Sequence, residues 1–264
     1  MRLIQFRRCL VILWFMTRLC IPAYAAADGP DALLNRTAEY VAHFLDQFSE
    51  VKCTEQVVQE KFALDGKATL KQVSTYDYLV IMTSPGGELT LAESRLALRG
   101  AKDDKKNTPM LISNGFATLF VIFDPYYAGD FRFTDLGEDA AGGKPLRKIG
   151  FQHIPGSRSP AALSVGGREY PLELSGTAWV DPQTGSITRI EATVGDSMQD
   201  VGMKSLRADV VYAPVSFRDV QAAYWFPAQV TVDVETNRQH WRNTHTFSDY
   251  KRFSVSTEEQ VAKQ

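Results

Sequence analysis

Cysteine is scarce in this sequence, and its positions limit what it can do. Two of the three cysteines, Cys9 and Cys20, fall within the first 25 residues, leaving only Cys53 beyond them. One thiol cannot close an intramolecular disulfide, so the fold has to be held by a packed core. With no charged environment readable around it, Cys53 reads as a small buried residue. Metal-binding patterns are also missing: there is no HExxH and no CxxC. His43, His153, His240 and His245 are spread along the chain. His240 and His245, five apart on one expected strand, point to opposite faces, so no metal site is expected. No Gly-x-Ser-x-Gly elbow occurs. Gly156-Ser157-Arg158-Ser159-Pro160 lacks the second glycine and a following helix, and reads as a loop. Glu138, Asp139, Glu258 and Glu259 read as solvated charge, not as paired catalytic acids. Gly86-Gly87, Gly142-Gly143 and Gly166-Gly167 read as turns, not phosphate cradles. Basic surplus is lacking too. The formal net charge is −2 over 264 residues, which argues against nucleic acid as a partner.

The N-terminus carries the three parts of an export signal. Arg2, Arg7 and Arg8 supply a positive start, Cys9 to Met16 an apolar run, and Ala23-Tyr24-Ala25 small residues ahead of a cut before Ala26. Arg18 interrupts the apolar stretch well short of the roughly 20 residues a membrane span needs. Cys20 follows Arg18-Leu19 and so lacks the small preceding residue of a lipidation box. The expected product is exported to the periplasm or beyond, soluble and not lipidated. Removal of 25 residues leaves 239 and takes four arginines away. Lys+Arg falls from 29 to 25 against 31 Asp+Glu, a net charge of −6.

Residues 26–264 read as one domain. Leu33, Leu34, Thr37, Tyr40, Val41, Phe44, Leu45 and Phe48 recur at helical spacing and predict a helix over Asp31–Glu50, with Asp28 or Asp31 as its cap. A second helix is expected over Thr108–Phe123, opened by Thr108 and Pro109 and ended by Asp124-Pro125. Everything else follows a period of two. Strands are expected at Cys53–Leu64, Val73–Thr83, Leu89–Leu98, Phe131–Leu136, Leu146–Ile154, Tyr170–Val180, Ser186–Val194, Lys204–Tyr212, Phe226–Thr236 and Gln239–Tyr250. Asp181-Pro182-Gln183-Thr184-Gly185 is a hairpin turn with glycine at the left-handed position. Several strands are one-sided: Phe226, Ala228, Val230, Val232 and Val234 share a face opposite Gln229, Thr231, Asp233 and Glu235. Such a sheet needs a cover, and two helices are too few to tile about ten flat strands. The expectation is an α+β, mainly antiparallel fold: a strongly curved half-barrel sheet with both helices on its concave face.

Aromatic residues concentrate late in the chain, at Trp179, Tyr212, Tyr224, Trp225, Phe226, Trp241, Phe247 and Tyr250. They pack a core or line a cavity for an apolar ligand.

Tyr224-Trp225-Phe226-Pro227-Ala228-Gln229-Val230 and Thr244-His245-Thr246-Phe247-Ser248-Asp249-Tyr250 resemble the last strands of the outer-membrane lipoprotein-sorting, or Lol-type, superfamily. Gly176 to Gly185 is similar to a hairpin of such proteins. Asp77-Tyr78-Leu79-Val80 and Pro85-Gly86 fit segments of a group of uncharacterised secreted bacterial members. The resemblance implies a half-open, curved antiparallel sheet with helices in its concavity, and a role in holding acyl chains there. The expected function is non-enzymatic binding of a lipid or other apolar ligand, without cofactor. Candidates for lining the cavity are Leu119, Phe123, Val180, Tyr212, Phe226, Val230, Val232 and Trp241. The alternative is a sensor or interaction module that binds a periplasmic protein partner and shows an exposed apolar patch or bare sheet edge. A hydrolase with an unrecognised site is the third reading.

Overall fold

The computed structural model describes residues 30–48, 51–63, 65–83, 88–98, 114–139, 143–165, 168–194, 198, 202–217 and 223–252. The export signal, the Cys20 reading, the Ser84–Gly87 turn and the first part of the expected second helix lie outside them.

Helix α1 (Pro30–Phe48) buries the stripe that its spacing predicts: Leu33, Thr37, Val41, Phe44, Leu45 and Phe48. Asp31 lies inside its first turn, where a carboxylate favours the helix dipole. Strands β1 (Val51–Phe62), β2 (Ala68–Thr83) and β3 (Thr90–Ala97) follow, and then β4 (Phe131–Asp139) and β5 (Leu146–His153). A small hairpin, β6 (Ala162–Val165) and β7 (Arg168–Pro171), leads to β8 (Leu174–Val180) and β9 (Ile187–Val194). The chain ends in β10 (Met203–Val215), β11 (Tyr224–Thr236) and β12 (His240–Arg252).

Ten strands form one antiparallel sheet in the order β3-β2-β1-β12-β11-β10-β9-β8-β5-β4. It is not closed, because β3 and β4 are its two edges. The expected half-barrel with an N-terminal helix and one further helix is therefore the observed architecture.

Two local expectations differ. Residues 114–123 are not α-helical. They form a turn and then a five-residue 3₁₀ segment, Leu119–Phe123, buried on every side. An α-helix with no polar face has no solvent side, and Gly115 at φ +81° interrupts the pattern. Asp124-Pro125 is not a stop signal but the start of a short helix α2 (Pro125–Ala128). Asp124 accepts from Tyr126 N, and Pro125 takes the first turn. The expected strand Tyr170–Val180 is broken. It turns after Pro171, where Leu172 N donates to Ala161 O, so β7 pairs with β6 and only β8 joins the large sheet.

The chain from β3 to β4 has to pass from one edge of the sheet to the other. It does so along the inner face. Gly115 N donates to Glu93 Oε1 of β3 (3.0 Å), and Tyr127 Oη donates to Leu89 O at the start of β3 (3.1 Å). On its other side Gly115 meets the loop after β5: a Cβ there would lie 2.9 Å from Pro160 O. The segment thus bridges the open seam. Phe44 joins α1 to this bridge and to the sheet, with ring centroids 4.9 Å from Phe120 and 5.0 Å from Phe226. Burying a side chain of that size contributes about 2–3 kcal/mol. The β8–β9 turn rests on the helix as well. Gly185 has φ +74°, and a Cβ there would lie 2.6 Å from Arg36 O; Arg36 Nη1 donates to Pro182 O.

Candidate functional site

The inner face has two unlike halves. Strands β8 to β11 present Leu174, Ala178, Val180, Ile190, Ala192, Leu206, Ala208, Val210, Phe226, Val230, Val232 and Val234, all buried against α1 and the seam segment. Seven of the expected cavity residues lie in this one cluster: Leu119, Phe123, Val180, Tyr212, Phe226, Val230 and Val232. Tyr212 is fully enclosed, and burial holds its pKa well above 10. Trp241 is not part of the cluster. It shares the inner face at the far end of β12, opposite Val234, half-buried, with Lys61 Nζ 4.8 Å from its ring and its Nε1 donating to Gln239 Oε1. A gap between the two halves, lined by Arg95, Phe116, Ala117, Val230, His245 and Phe247, is too tight for a water molecule. The side chains of the apolar half are almost wholly enclosed.

The other half, on β1, β2, β3 and β12, is ionic. Val51, Cys53, Glu55, Val57 and Gln59 alternate inward on β1. Glu55 is fully buried. It accepts from Arg95 Nε (2.6 Å) and Nη2 (3.0 Å), and it pairs with His245 Nδ1 (2.8 Å). Arg95 also donates to Asn114 Oδ1 (2.9 Å) and lies 2.8 Å from Glu93 Oε2, a contact whose alignment makes it an ion pair without a hydrogen bond. Burial would raise the Glu55 carboxyl, but the hydrogen bonds from His245 and Arg95 outweigh it and hold its pKa below 4.5. Burial likewise works against the Arg95 charge, and Glu93 and Glu55 more than restore it. Tyr78 stacks under the Arg95 guanidinium with its own hydroxyl unpartnered. Both ends of this cluster grip the start of the seam segment, at Asn114 and Gly115.

A histidine oriented by a carboxylate can serve as a base. Here the thiol on the same face, Cys53, is pushed up to about 12 by burial and so is no nucleophile at neutral pH.

Two features stand on the outside. The first is the β2–β3 edge. Strand β3 covers only Tyr76–Thr83 of β2, so along Ala68–Ser74 the outer edge of β2 has no strand partner among the described residues. Among the described residues, five of the seven large apolar side chains that stand exposed are here: Leu70, Val73, Ile81, Leu96 and Leu98. The second is a cleft of about 550 Å³ over the outer face of β9 to β12, lined by alternating charges and hydroxyls that include Glu191, Thr193, Arg207, Asp209, Thr231 and Asp233. An exposed apolar patch or bare edge is what the interaction-module reading expects, without a location; the outer cleft has no counterpart among the expectations. Leu70 precedes the expected strand Val73–Thr83, because β2 begins at Ala68.

No protein-family model matches the sequence, nor does any curated protein. Solved structures resemble the fold. A DUF1329 family protein from Desulfovibrio piger aligns over 87% of this chain and 95% of its own, at 11% identity and a TM-score of 0.46. A putative outer membrane lipoprotein-sorting protein domain from Vibrio parahaemolyticus aligns over 86% and 95%, at 12% identity and a TM-score of 0.39. MucB, in complex with MucA(peri), aligns over 86% and 100%, at 13% identity and a TM-score of 0.22. None of these transfers an activity to this chain. No helix among the described residues is long and apolar enough to cross a membrane.

Proposed function

We propose that this chain is an exported, non-enzymatic interaction module that works by contact through its β2–β3 edge. One observation carries the reading: exposed apolar side chains gather on the edge whose backbone is partly bare, while the apolar side chains of the trough beneath are enclosed. An edge with free backbone groups beside apolar side chains recruits an extended segment by strand addition. The ionic cluster behind β3 holds that edge rigid, because Arg95 ties β3 to β1 through Glu55. The test is site-specific photocrosslinking in the native host, with the reactive group at Leu96 and, as control, at Thr246 on the outer face of β12. A discrete protein adduct at Leu96 alone is expected. Equal labelling at both sites, or none at either, defeats the reading.

A second reading has its own support. The seam segment is joined to the sheet at its ends by side chains, not by a strand ladder. Displacing it would uncover an apolar trough lined on the sheet by Val180, Tyr212, Phe226, Val230 and Val232, with Leu119 and Phe123 on the displaced segment itself and Trp241 beyond the rim. On this reading the ligand is a lipid or another apolar molecule. Native mass spectrometry of protein from its own host separates the two readings. A retained acyl species at stoichiometric level favours the second, and an empty protein favours the first.

A further inference from the structure

The outer cleft continues beyond the strands that line it. A second hollow of about 190 Å³, at the β11–β12 and β1–β2 turns, shares Glu235 and His240 with it. Together they form one elongated depression running from β9 to the start of β12. Its four carboxylates share three cations and a histidine. Glu191 and Asp209 both face Arg189, at 2.6 and 2.8 Å; Asp233 holds His240 and Arg242; Glu235 has Lys204 at 3.8 Å. Two cations are left over. The guanidinium groups of Arg207 and Arg238 make no hydrogen bond or ion pair among the described residues, and each lines one of the two hollows. Between them Ser205 presents a hydroxyl, and Thr193 and Thr231 lie on the far side of Arg207. At the second hollow the Phe62 and His240 rings stack with centroids 4.8 Å apart, both half-buried, with the Arg242 guanidinium 5.3 Å from the Phe62 ring.

A small inorganic anion would use one arginine and none of the length. An apolar ligand would find no apolar wall. We propose that this depression binds an acidic saccharide chain. Carboxylates of the chain pair with Arg207 and Arg238, charge-assisted and directional. Its hydroxyls meet the carboxylates and the hydroxyl side chains, and the C–H face of one sugar ring rests against His240. The site is separate from the β2–β3 edge and stands whether or not that edge binds a protein.

The test is calorimetric titration of the full chain with a short oligogalacturonate at low salt. Saturable binding is expected, weakened by added salt. Arg207→Ala and Arg238→Ala each weaken it about tenfold, the loss of one charge-assisted contact. Both arginines are exposed, so each variant keeps the parent's melting temperature, which thermal unfolding verifies. Absence of saturation overturns the proposal. So does a neutral maltooligosaccharide that binds as tightly, or a pair of arginine variants that bind as the parent does.

Discussion

The two halves of the inner face are equally buried and are held in different ways. Around Phe44 the contacts are numerous and non-directional, so each side chain is supported by many neighbours and a modest change of shape can be absorbed. Around Glu55 the contacts are few and directed, and each one neutralises a charge that has no water to fall back on. Loss in the first half is graded. In the second it is abrupt, because removing one partner strands another.

The largest effect that breaks this symmetry is expected from Arg95→Met. It leaves Glu55 and Glu93 buried without their cation and should cost about 3–5 kcal/mol in denaturant unfolding. Adding Glu55→Gln to it should cost less than the two single changes taken separately, because the stranded charge is gone. Gly115→Ala comes next, at about 2–3 kcal/mol. Its φ of +81° and the 2.9 Å approach to Pro160 O both oppose a methyl group, and unfolding should begin at the seam, read by hydrogen exchange of Leu119–Phe123. Phe44→Leu, in the apolar half, should cost about 1.5 kcal/mol or less, since volume is nearly kept.

pH separates the halves more finely. Glu55 titrates below its ordinary value, so its contribution is complete above about pH 4.5 and is lost as pH falls through the folded pKa. Tyr40, in the apolar half, is raised by burial to about 12, so its contribution is complete below pH 10 and is lost as pH rises through about 12. Thermal melts across pH should therefore fall at the acid end for the parent but less steeply for Glu55→Gln. At the alkaline end Tyr40→Phe should blunt the fall. A Glu55→Gln variant as acid-sensitive as the parent would remove the ionic half from this account.

Much of the architecture can be read from period-two alternation. Phe226, Val230, Val232 and Val234 face inward as their spacing requires, and Gly185 takes the left-handed conformation that Asp181-Pro182-Gln183-Thr184-Gly185 implies. His240 and His245 do point to opposite faces: one meets Asp233 outside, the other Glu55 inside. The seam segment was not legible as such. An apolar run of this length looks helical, and only the position of β3 and β4 at opposite edges explains why it is buried all round. The ionic cluster was hidden for another reason. Glu55, Arg95 and His245 are far apart in sequence, and each looks like a solvated charge on its own strand. The one local hint was parity on β1, where Glu55 shares the inward set with Val51, Cys53 and Val57. For the apolar residues, inwardness was legible. Whether the space they enclose is open depended on the conformation of 114–123, which local pattern misread.

Strand β1 lies inside the sheet, third from one edge, with β12 as its neighbour, and the Glu55–His245 pair spans 190 positions of sequence. The sheet cannot be joined there until nearly the whole chain is present. Loops of that length close slowly, and contacts so far apart in sequence form late. A chain delivered N-terminus first across a membrane would carry α1 and β1 to the far side long before β12 arrives to pair with them. Until then the ionic half would have no histidine, and β3 and β4 would not yet belong to one sheet. Completion of the fold is thereby tied to the availability of the last strand.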